Sequence, residues 1–169
     1  MSRDISPDRL ELLGELADAI RAGQRATDVI DDLAAALMGI NRTDARCLDI
    51  LDQRGRMSAG QLAQEAGLTS GAITAVLDRL ARAGYVQRID DPADRRRVLV
   101  ELTQKAREIS EDLFGGLRDL WMPLSERFSD DDLRLLLEFQ RLGREIQERH
   151  TDFLRRRLAG RGRDRDRGG

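Results

Sequence analysis

The chain has 169 residues, of which 40% are hydrophobic and 36% are charged, and its formal net charge is −2. This length and composition suit one soluble, helix-rich domain that can bury a core. No apolar run approaches the about 18 residues of a membrane span, and no signal-peptide pattern precedes Pro7, so we expect no membrane association. The single cysteine excludes an internal disulfide, and we expect a cytoplasmic protein.

The charge is distributed unevenly along the chain. Residues 1–53 hold 6 basic and 11 acidic side chains, whereas residues 54–100 hold 8 arginines and 5 acidic side chains. Residues 101–169 hold 15 of each sign. The central positive excess is what a local phosphate-binding surface requires, and its modest size indicates that dimerisation contributes to affinity.

The N-terminal part of the chain predicts two helices. Ser6 and Pro7 are typical of a helix start, with a capping hydroxyl followed by proline at the first helical position. Apolar residues then recur at helical spacing as far as Met38, which predicts an amphipathic helix about 45 Å long. A monomeric core of this size does not need so long a helix, so we expect a partner subunit on its apolar face. A second helix is predicted over 44–54, with Thr43 as its N-cap.

Residues 58–84 predict two short helices joined by a tight turn. Ser58 and Gln61 match a capping box at the start of the first helix, and Gly67 supplies the left-handed residue that ends it. Thr69 is the predicted N-cap of the second helix. The buried face of the second helix is predicted to contain Ile73, Val76, Leu77 and Leu80. This pattern predicts a helix-turn-helix.

The other face of the second helix has the composition of a DNA recognition helix. Small residues lie near its start and charged residues lie further along: Ser70, Gly71, Thr74, Ala75, Asp78, Arg79 and Arg82. Small side chains let a helix backbone enter a major groove, which is about 12 Å wide. An ordinary solvated helix would show a similar polar face, so this helix alone does not decide between the two interpretations.

The following segment predicts a β-hairpin. Residues 85–89 and 98–102 are β-prone runs joined by a turn-rich loop. The residues of the second run that we expect to point inward are Val98, Val100 and Leu102.

The loop of the predicted hairpin carries three consecutive arginines, Arg95, Arg96 and Arg97. Such a hairpin suits a wing that enters a narrow minor groove, where the negative potential is concentrated. Asp94 would repel a phosphate, so we expect it to hold Arg96 or the turn backbone in place.

This combination resembles the multiple-antibiotic-resistance-regulator (MarR) family of winged helix-turn-helix transcription factors. The matching residues are Asp91, Pro92, Asp94, Arg95 and Arg96 in the wing, Val100, Leu102 and Thr103 after it, and Leu77, Arg79, Leu80 and Gly84 before it. The resemblance extends by layout over about residues 8–155. It implies a mainly α fold with a small β-hairpin wing, and control by a small, often aromatic or phenolic, effector. The effector would release DNA by preferring a dimer that does not fit the operator.

We therefore expect a single unit over residues 8–155. Its parts are N-terminal dimerisation and support helices over 8–57, the DNA-binding lobe over 58–102, and C-terminal dimerisation helices over 103–158. The low-complexity tail, 159–169, should be disordered unless it contacts a phosphate backbone.

The C-terminal part predicts two further helices. Thr103 is the expected cap of the first one, in which Gly115, Gly116 and Pro123 predict bends or close helix contacts. Ser129, followed by three aspartates, is a strong start signal for the second.

The expected function is that of a homodimeric repressor of transcription that binds a pseudo-palindromic operator in double-stranded DNA. Two-fold symmetry places two recognition helices roughly 34–36 Å apart, in successive major grooves. The residues expected to approach base edges are Ser70, Gly71, Thr74 and Ala75. Those expected to contact phosphates are Arg79 and, in addition, Arg54, Arg56 and Arg82. Arg95 and Arg96 are expected to enter the minor groove, with Asp94 supporting them.

Three alternatives remain open at this point. Cys47 would be a peroxide-sensing thiol if it were accessible, as in some members of this family, although a lone cysteine among leucines is usually a buried hydrophobe. A winged helix used as a protein-interaction module would expose an apolar recognition helix, whereas this one is polar. An enzyme would need clustered catalytic or metal-binding side chains, so we expect no catalytic residues, no metal and no cofactor.

Overall fold

The computed structural model describes the backbone of residues 6–94 and 96–166 and the side chains of residues 6–94 and 96–158. The helices are α1 (Pro7–Met38), α2 (Arg42–Arg54), α3 (Ala59–Ala66), α4 (Ser70–Arg82), α5 (Gln104–Ser125) and α6 (Asp130–Asp166). The strands are β1 (Met57–Ser58), β2 (Val86–Asp90) and β3 (Val98–Leu102). The mainly α fold with a small wing is therefore confirmed.

The three strands form one antiparallel sheet in the order β1–β3–β2. The hairpin of β2 and β3 pairs Val86 with Leu102. On the other side of β3, Met57 of β1 pairs with Val100. The sequence predicts the hairpin but not β1, because a two-residue strand has too little alternation to recognise and its partner lies far along the chain.

Most of the predicted helix ends are confirmed. Ser6 caps α1 with proline following it, Ser58 and Gln61 form the reciprocal capping box of α3, and Thr69 caps α4. Gly67 ends α3 in the left-handed conformation, with φ of 67°. These ends are predictable because each depends on side chains within three residues of the backbone groups that they satisfy.

The predicted start of α2 is wrong. The helix begins at Arg42, and its N-cap is Asn41 instead of Thr43. The Asn41 Oδ1 atom accepts a hydrogen bond from the backbone N–H of Asp44 at 3.0 Å. Asparagine is a slightly better N-cap than threonine, and the earlier start gives the helix two additional residues.

The structure divides into two compact units, Met1–Gly115 and Gly116–Gly169. The first unit contains the hydrophobic core, which the helices α2, α3 and α4 and the sheet build together. Its most completely buried apolar side chains are Leu51, Leu62, Leu80, Val100 and Cys47. Val98 was expected to point inward but is 52% exposed, because it pairs with Asp90 at the wing end of the hairpin, beyond the core.

The second unit contains the end of α5 and all of α6. The helix α5 continues through Gly115 and Gly116 and ends two residues after Pro123. Ser129 caps α6: its hydroxyl accepts from the backbone N–H of Asp132 at 3.2 Å. The tail that we expected to be disordered from residue 159 is helical as far as Asp166, and 167–169 lie outside the described residues.

Each unit exposes many large apolar side chains. On α1 these are Leu10, Leu12, Leu13, Leu16, Val29, Ile30, Leu33 and Leu37. On α6 they are Leu133, Leu135, Leu136, Leu137, Phe139, Leu142, Ile146, Phe153, Leu154 and Leu158. Within the described part of the chain, no helix is both long enough and apolar enough to cross a membrane.

Candidate nucleic-acid interface

The face of α4 that we predicted to meet DNA is exposed. The opposite face of α4 packs against the core through four apolar residues that are at most 3% exposed: Ile73, Val76, Leu77 and Leu80. Ser70, Gly71, Thr74 and Ala75 all lie in solvent. The Thr74 hydroxyl donates to the Ser70 carbonyl at 3.0 Å, which occupies the hydroxyl within the helix. The first turns therefore present only small groups, as close approach to base edges requires.

The middle of α4 is joined to the wing by an ion pair. The Arg88 Nη2 atom of β2 lies 3.3 Å from the Asp78 Oδ1 atom of α4, and both side chains are more than half exposed. An exposed pair of this kind contributes little to stability. Its consequence is geometric, because it connects the recognition helix to the strand that carries the wing.

On its other side, α4 is held by a buried carboxylate of α2. Arg79 donates from Nη2 to the Asp44 Oδ1 atom at 2.6 Å and from Nε to Oδ2 at 3.0 Å. The Asp44 side chain is 2% exposed, whereas that of Arg79 is 42% exposed. The hydrogen bonds to Asp44 raise the pKa of the Arg79 guanidinium, which therefore stays cationic. The sequence did not reveal this pair, because its members lie 35 residues apart.

The wing tip is closed by its own backbone and two aspartates. The Asp94 Oδ1 atom accepts from the Arg96 backbone N–H at 3.0 Å, and the Asp94 carbonyl accepts from the Arg97 N–H at 2.8 Å. The Asp91 Oδ1 atom accepts from the Ala93 N–H at 2.9 Å. Arg96 and Arg97 are exposed, while Arg95 lies outside the described residues. The Asp94 carboxylate thus holds the turn backbone in place, which is one of the two alternatives that the sequence predicted for it.

The junction of α4, the wing and α5 depends on contacts that the sequence did not reveal. The Lys105 ammonium donates to the Ala83 carbonyl at 2.7 Å and lies 4.7 Å from the centre of the Tyr85 ring. The Thr103 hydroxyl donates to the carbonyl of Gly84 at 2.7 Å, and Gly84 has a φ of 76°. Since a positive φ favours glycine, this residue sets the turn that separates recognition helix from wing.

Cys47 does not have the properties of a sensing thiol. Its side chain is 0% exposed, and burial raises the pKa of the thiol, with the charge of Arg46 opposing that shift less strongly. A redox-sensing cysteine needs access to solvent and a lowered pKa. Both observations oppose the oxidation hypothesis and favour a packing role.

A cleft of about 920 Å³ lies between α1, α2 and the first half of α5. Its apolar lining consists of Ala34, Ala35, Met38, Ala45, Leu48, Leu102, Ala106 and Phe114. Its charged lining consists of Asp28, Asp31, Asp49, Asp52, Arg42 and Arg46. Partial burial, followed by the charge of Asp49, raises the pKa of Asp31. Among residues 6–94 and 96–158, no group of three or more histidine, cysteine or acidic side chains is arranged to hold a metal ion.

Comparison with known proteins agrees with this geometry. The model of the MarR family matches residues 40–98, which contain the helix-turn-helix and most of the wing. The HTH-type transcriptional regulator YcgE of Bacillus subtilis is 36% identical over 129 residues, covering 76% of this chain and 84% of that protein.

Solved structures show the same fold. The transcriptional regulator PA4135 is 30% identical, with a TM-score of 0.54 over 78% of this chain and 96% of that one. A mutant MarR from E. coli complexed with operator DNA is 24% identical, with a TM-score of 0.50 over 75% of this chain and 91% of that one. These relatives are regulators of transcription and not enzymes. The chain therefore belongs to the MarR family of winged helix-turn-helix, DNA-binding transcriptional regulators.

Proposed function

We propose that the chain is a homodimeric repressor that binds a pseudo-palindromic operator through α4 and the wing. The observation that carries this proposal is the pairing of a core-anchored helix of small outward side chains with an exposed, arginine-tipped hairpin. The residues that face base edges are Ser70, Gly71, Thr74 and Ala75. Arg79 contacts a phosphate, and Arg95 and Arg96 enter the minor groove beside the turn held by Asp94.

The exposed apolar faces support dimerisation. Large exposed apolar surfaces mark interaction sites in soluble proteins, and α1 and α6 each expose at least eight large apolar side chains. We assign 8–57 and 103–158 to dimerisation and support, and 58–102 to DNA binding. Two-fold symmetry would then place the two copies of α4 in successive major grooves, about 34–36 Å apart. Because the proposed partner is DNA, we also propose that the protein acts at the nucleoid, in the cytoplasm.

The cleft supports control by a small aromatic effector. Its apolar lining suits an aromatic ring, while its four aspartates outnumber its two arginines. A neutral phenol or a cationic aromatic compound is therefore favoured over an aromatic carboxylate, because a carboxylate would meet like charge. The effector releases DNA only if it binds the DNA-incompetent form of the dimer more tightly.

The test is duplex binding by purified protein over a salt series. Bound genomic fragments are first selected, and their affinity is then measured by fluorescence anisotropy between low and moderate ionic strength. We expect the selected fragments to bind more tightly than random duplex, and the logarithm of the affinity to fall linearly with the logarithm of salt concentration. A protein that ignores every duplex at low ionic strength would contradict the proposal.

A further inference from the structure

We propose that Asp44 is a positioning residue for DNA binding, which fixes the Arg79 guanidinium so that its remaining N–H groups contact a DNA phosphate. This inference rests on the proposed function, since it takes α4 as the recognition helix. It adds a buried residue of α2 to an interface otherwise built from α4 and the wing.

The geometry of the pair leaves part of the guanidinium available. A guanidinium has five N–H donors, and Arg79 uses two of them on Asp44. Within residues 6–94 and 96–158, no other group accepts a hydrogen bond from Arg79. Three donors remain, and the Arg79 side chain as a whole is 42% exposed, so the residue is accessible to a phosphate.

The carboxylate itself is firmly held. The Asp44 Oδ2 atom accepts a second hydrogen bond from the Asn41 Nδ2 atom at 3.0 Å, and the Asp44 backbone N–H donates to Asn41 at 3.0 Å. Both hydrogen bonds lie at the N-cap of α2, where the Asp44 side chain is almost fully buried. An arginine that is already held in one geometry loses less conformational entropy when it binds a phosphate than a free one does.

The pair differs from the other ion pairs of the described structure. Each of those joins two side chains that are both more than half exposed. Arg79 also lies four residues after Ala75 and eight after Gly71, so it shares their row on the outward face of α4. A phosphate contact at this place would set how far the small-residue end of the helix enters the groove.

The substitution Asp44→Asn tests this proposal, because its effect on charge and its effect on the position of Arg79 would change DNA affinity in opposite directions. The substitution removes a negative charge close to the DNA, so electrostatics alone predicts tighter binding. A positioning role predicts about tenfold weaker binding of the selected fragment, the scale of one contact. It also predicts a salt dependence whose slope is smaller by about one phosphate contact. Glu65→Gln, which makes the same charge change at an exposed position of α3, should not weaken binding.

A double-mutant cycle shows whether Asp44 acts through Arg79. Arg79→Gln should weaken binding by itself, and adding Asp44→Asn to it should cause no further loss. A loss from Asp44→Asn that remains undiminished in the Arg79→Gln background would overturn the proposal, since Asp44 would then act through the general fold of α2. Circular dichroism and sedimentation identify variants that are folded and dimeric.

Arg79→Lys keeps the proposal testable if Asp44→Asn does not fold. Lysine retains the charge but lacks the planar fork that bridges a carboxylate and a phosphate. We expect Arg79→Lys to bind DNA as weakly as Arg79→Gln, and parental affinity in Arg79→Lys would overturn the inference. If the parent binds DNA while Asp44→Asn binds as tightly or more tightly, only this inference fails. If the parent binds no duplex, the proposed function fails.

Discussion

Individual aspartates in the DNA-binding lobe and in the adjoining helix α2 are bound by neighbouring groups. Asp44 is bound by Arg79, Asp78 is paired with Arg88, and Asp94 accepts from the wing backbone. Each of these carboxylates lies beside a hydrogen-bond donor of the protein, which offsets part of the repulsion between the carboxylate and a phosphate.

Arg96→Ala should weaken binding of the selected operator by about 1–3 kcal/mol, because it removes one groove contact, while the protein stays folded and dimeric. Fluorescence anisotropy measures the affinity for the operator, and sedimentation shows whether the protein is dimeric. Arg25→Ala, which removes the same charge from the exposed surface of α1, is the matched control. Parental affinity in Arg96→Ala would refute the assignment of the wing.

Cys47→Ser should leave the response of DNA binding to peroxide unchanged, because the buried, protonated thiol of the parent does not react. The measurement is operator affinity of the parent and the variant before and after peroxide treatment. Release of DNA from the oxidised parent alone would restore the redox hypothesis.

The raised pKa of Cys47 also has a consequence for stability. The thiol of the unfolded chain ionises near its ordinary value of 9.0, whereas the folded thiol stays protonated to a higher pH. The unfolded state therefore binds fewer protons above that value, and the free energy of unfolding falls as the pH rises through it. Chemical denaturation from pH 7 to pH 10 should show a smaller fall for Cys47→Ser than for the parent. Parallel curves would contradict the assigned shift.

At the scale of the element, capping determines where each helix of the lobe begins. The turn of the helix-turn-helix lies between the left-handed Gly67 and the N-cap Thr69, so only two residues, Gly67 and Leu68, separate the end of α3 from the cap of α4. The start of α3 directly follows the sheet, because Ser58 is the last residue of β1 and also the N-cap of α3. Helix and sheet thereby share one residue.

Ser58→Ala should lower the free energy of unfolding by about 1 kcal/mol, as expected for the loss of an N-cap. The variant leaves the Gln61 backbone N–H without the acceptor that it has at 3.3 Å. Urea denaturation measures the change. Ser110→Ala, a substitution inside α5, is the control, and an equal loss in both variants would show that the capping box contributes nothing specific.

At the scale of the whole molecule, we propose that the exposed apolar side chains of α1 and α6 contact a partner subunit. Leu12→Glu, at a position that is 64% exposed, should weaken dimerisation without unfolding the DNA-binding lobe, because the core lies elsewhere. Operator affinity should then fall, since one subunit contacts only one half-site. Analytical ultracentrifugation measures the dimer, and Gln24→Glu adds the same charge to α1 as a control. A parent that is monomeric at all concentrations would refute the dimer.

The sequence by itself determined the helix-turn-helix, the wing and the family, because their signals are local. Capping residues act within three positions, the apolar faces repeat every turn, and the arginines of the wing are consecutive. Asn41 was the local signal that was misread, since two capping residues lie close together there.

The tertiary structure alone decided the features that join distant parts of the chain. These are the strand β1 on the far side of β3, the bond of Asp44 to Arg79, the burial of Cys47 and the exposure of Val98. Each depends on which segments pack together and where the core ends, and residue patterns within a short window carry no information about either. Packing of α2 against α4 brings Asp44 to Arg79, and it thus determines how the predicted arginine is held.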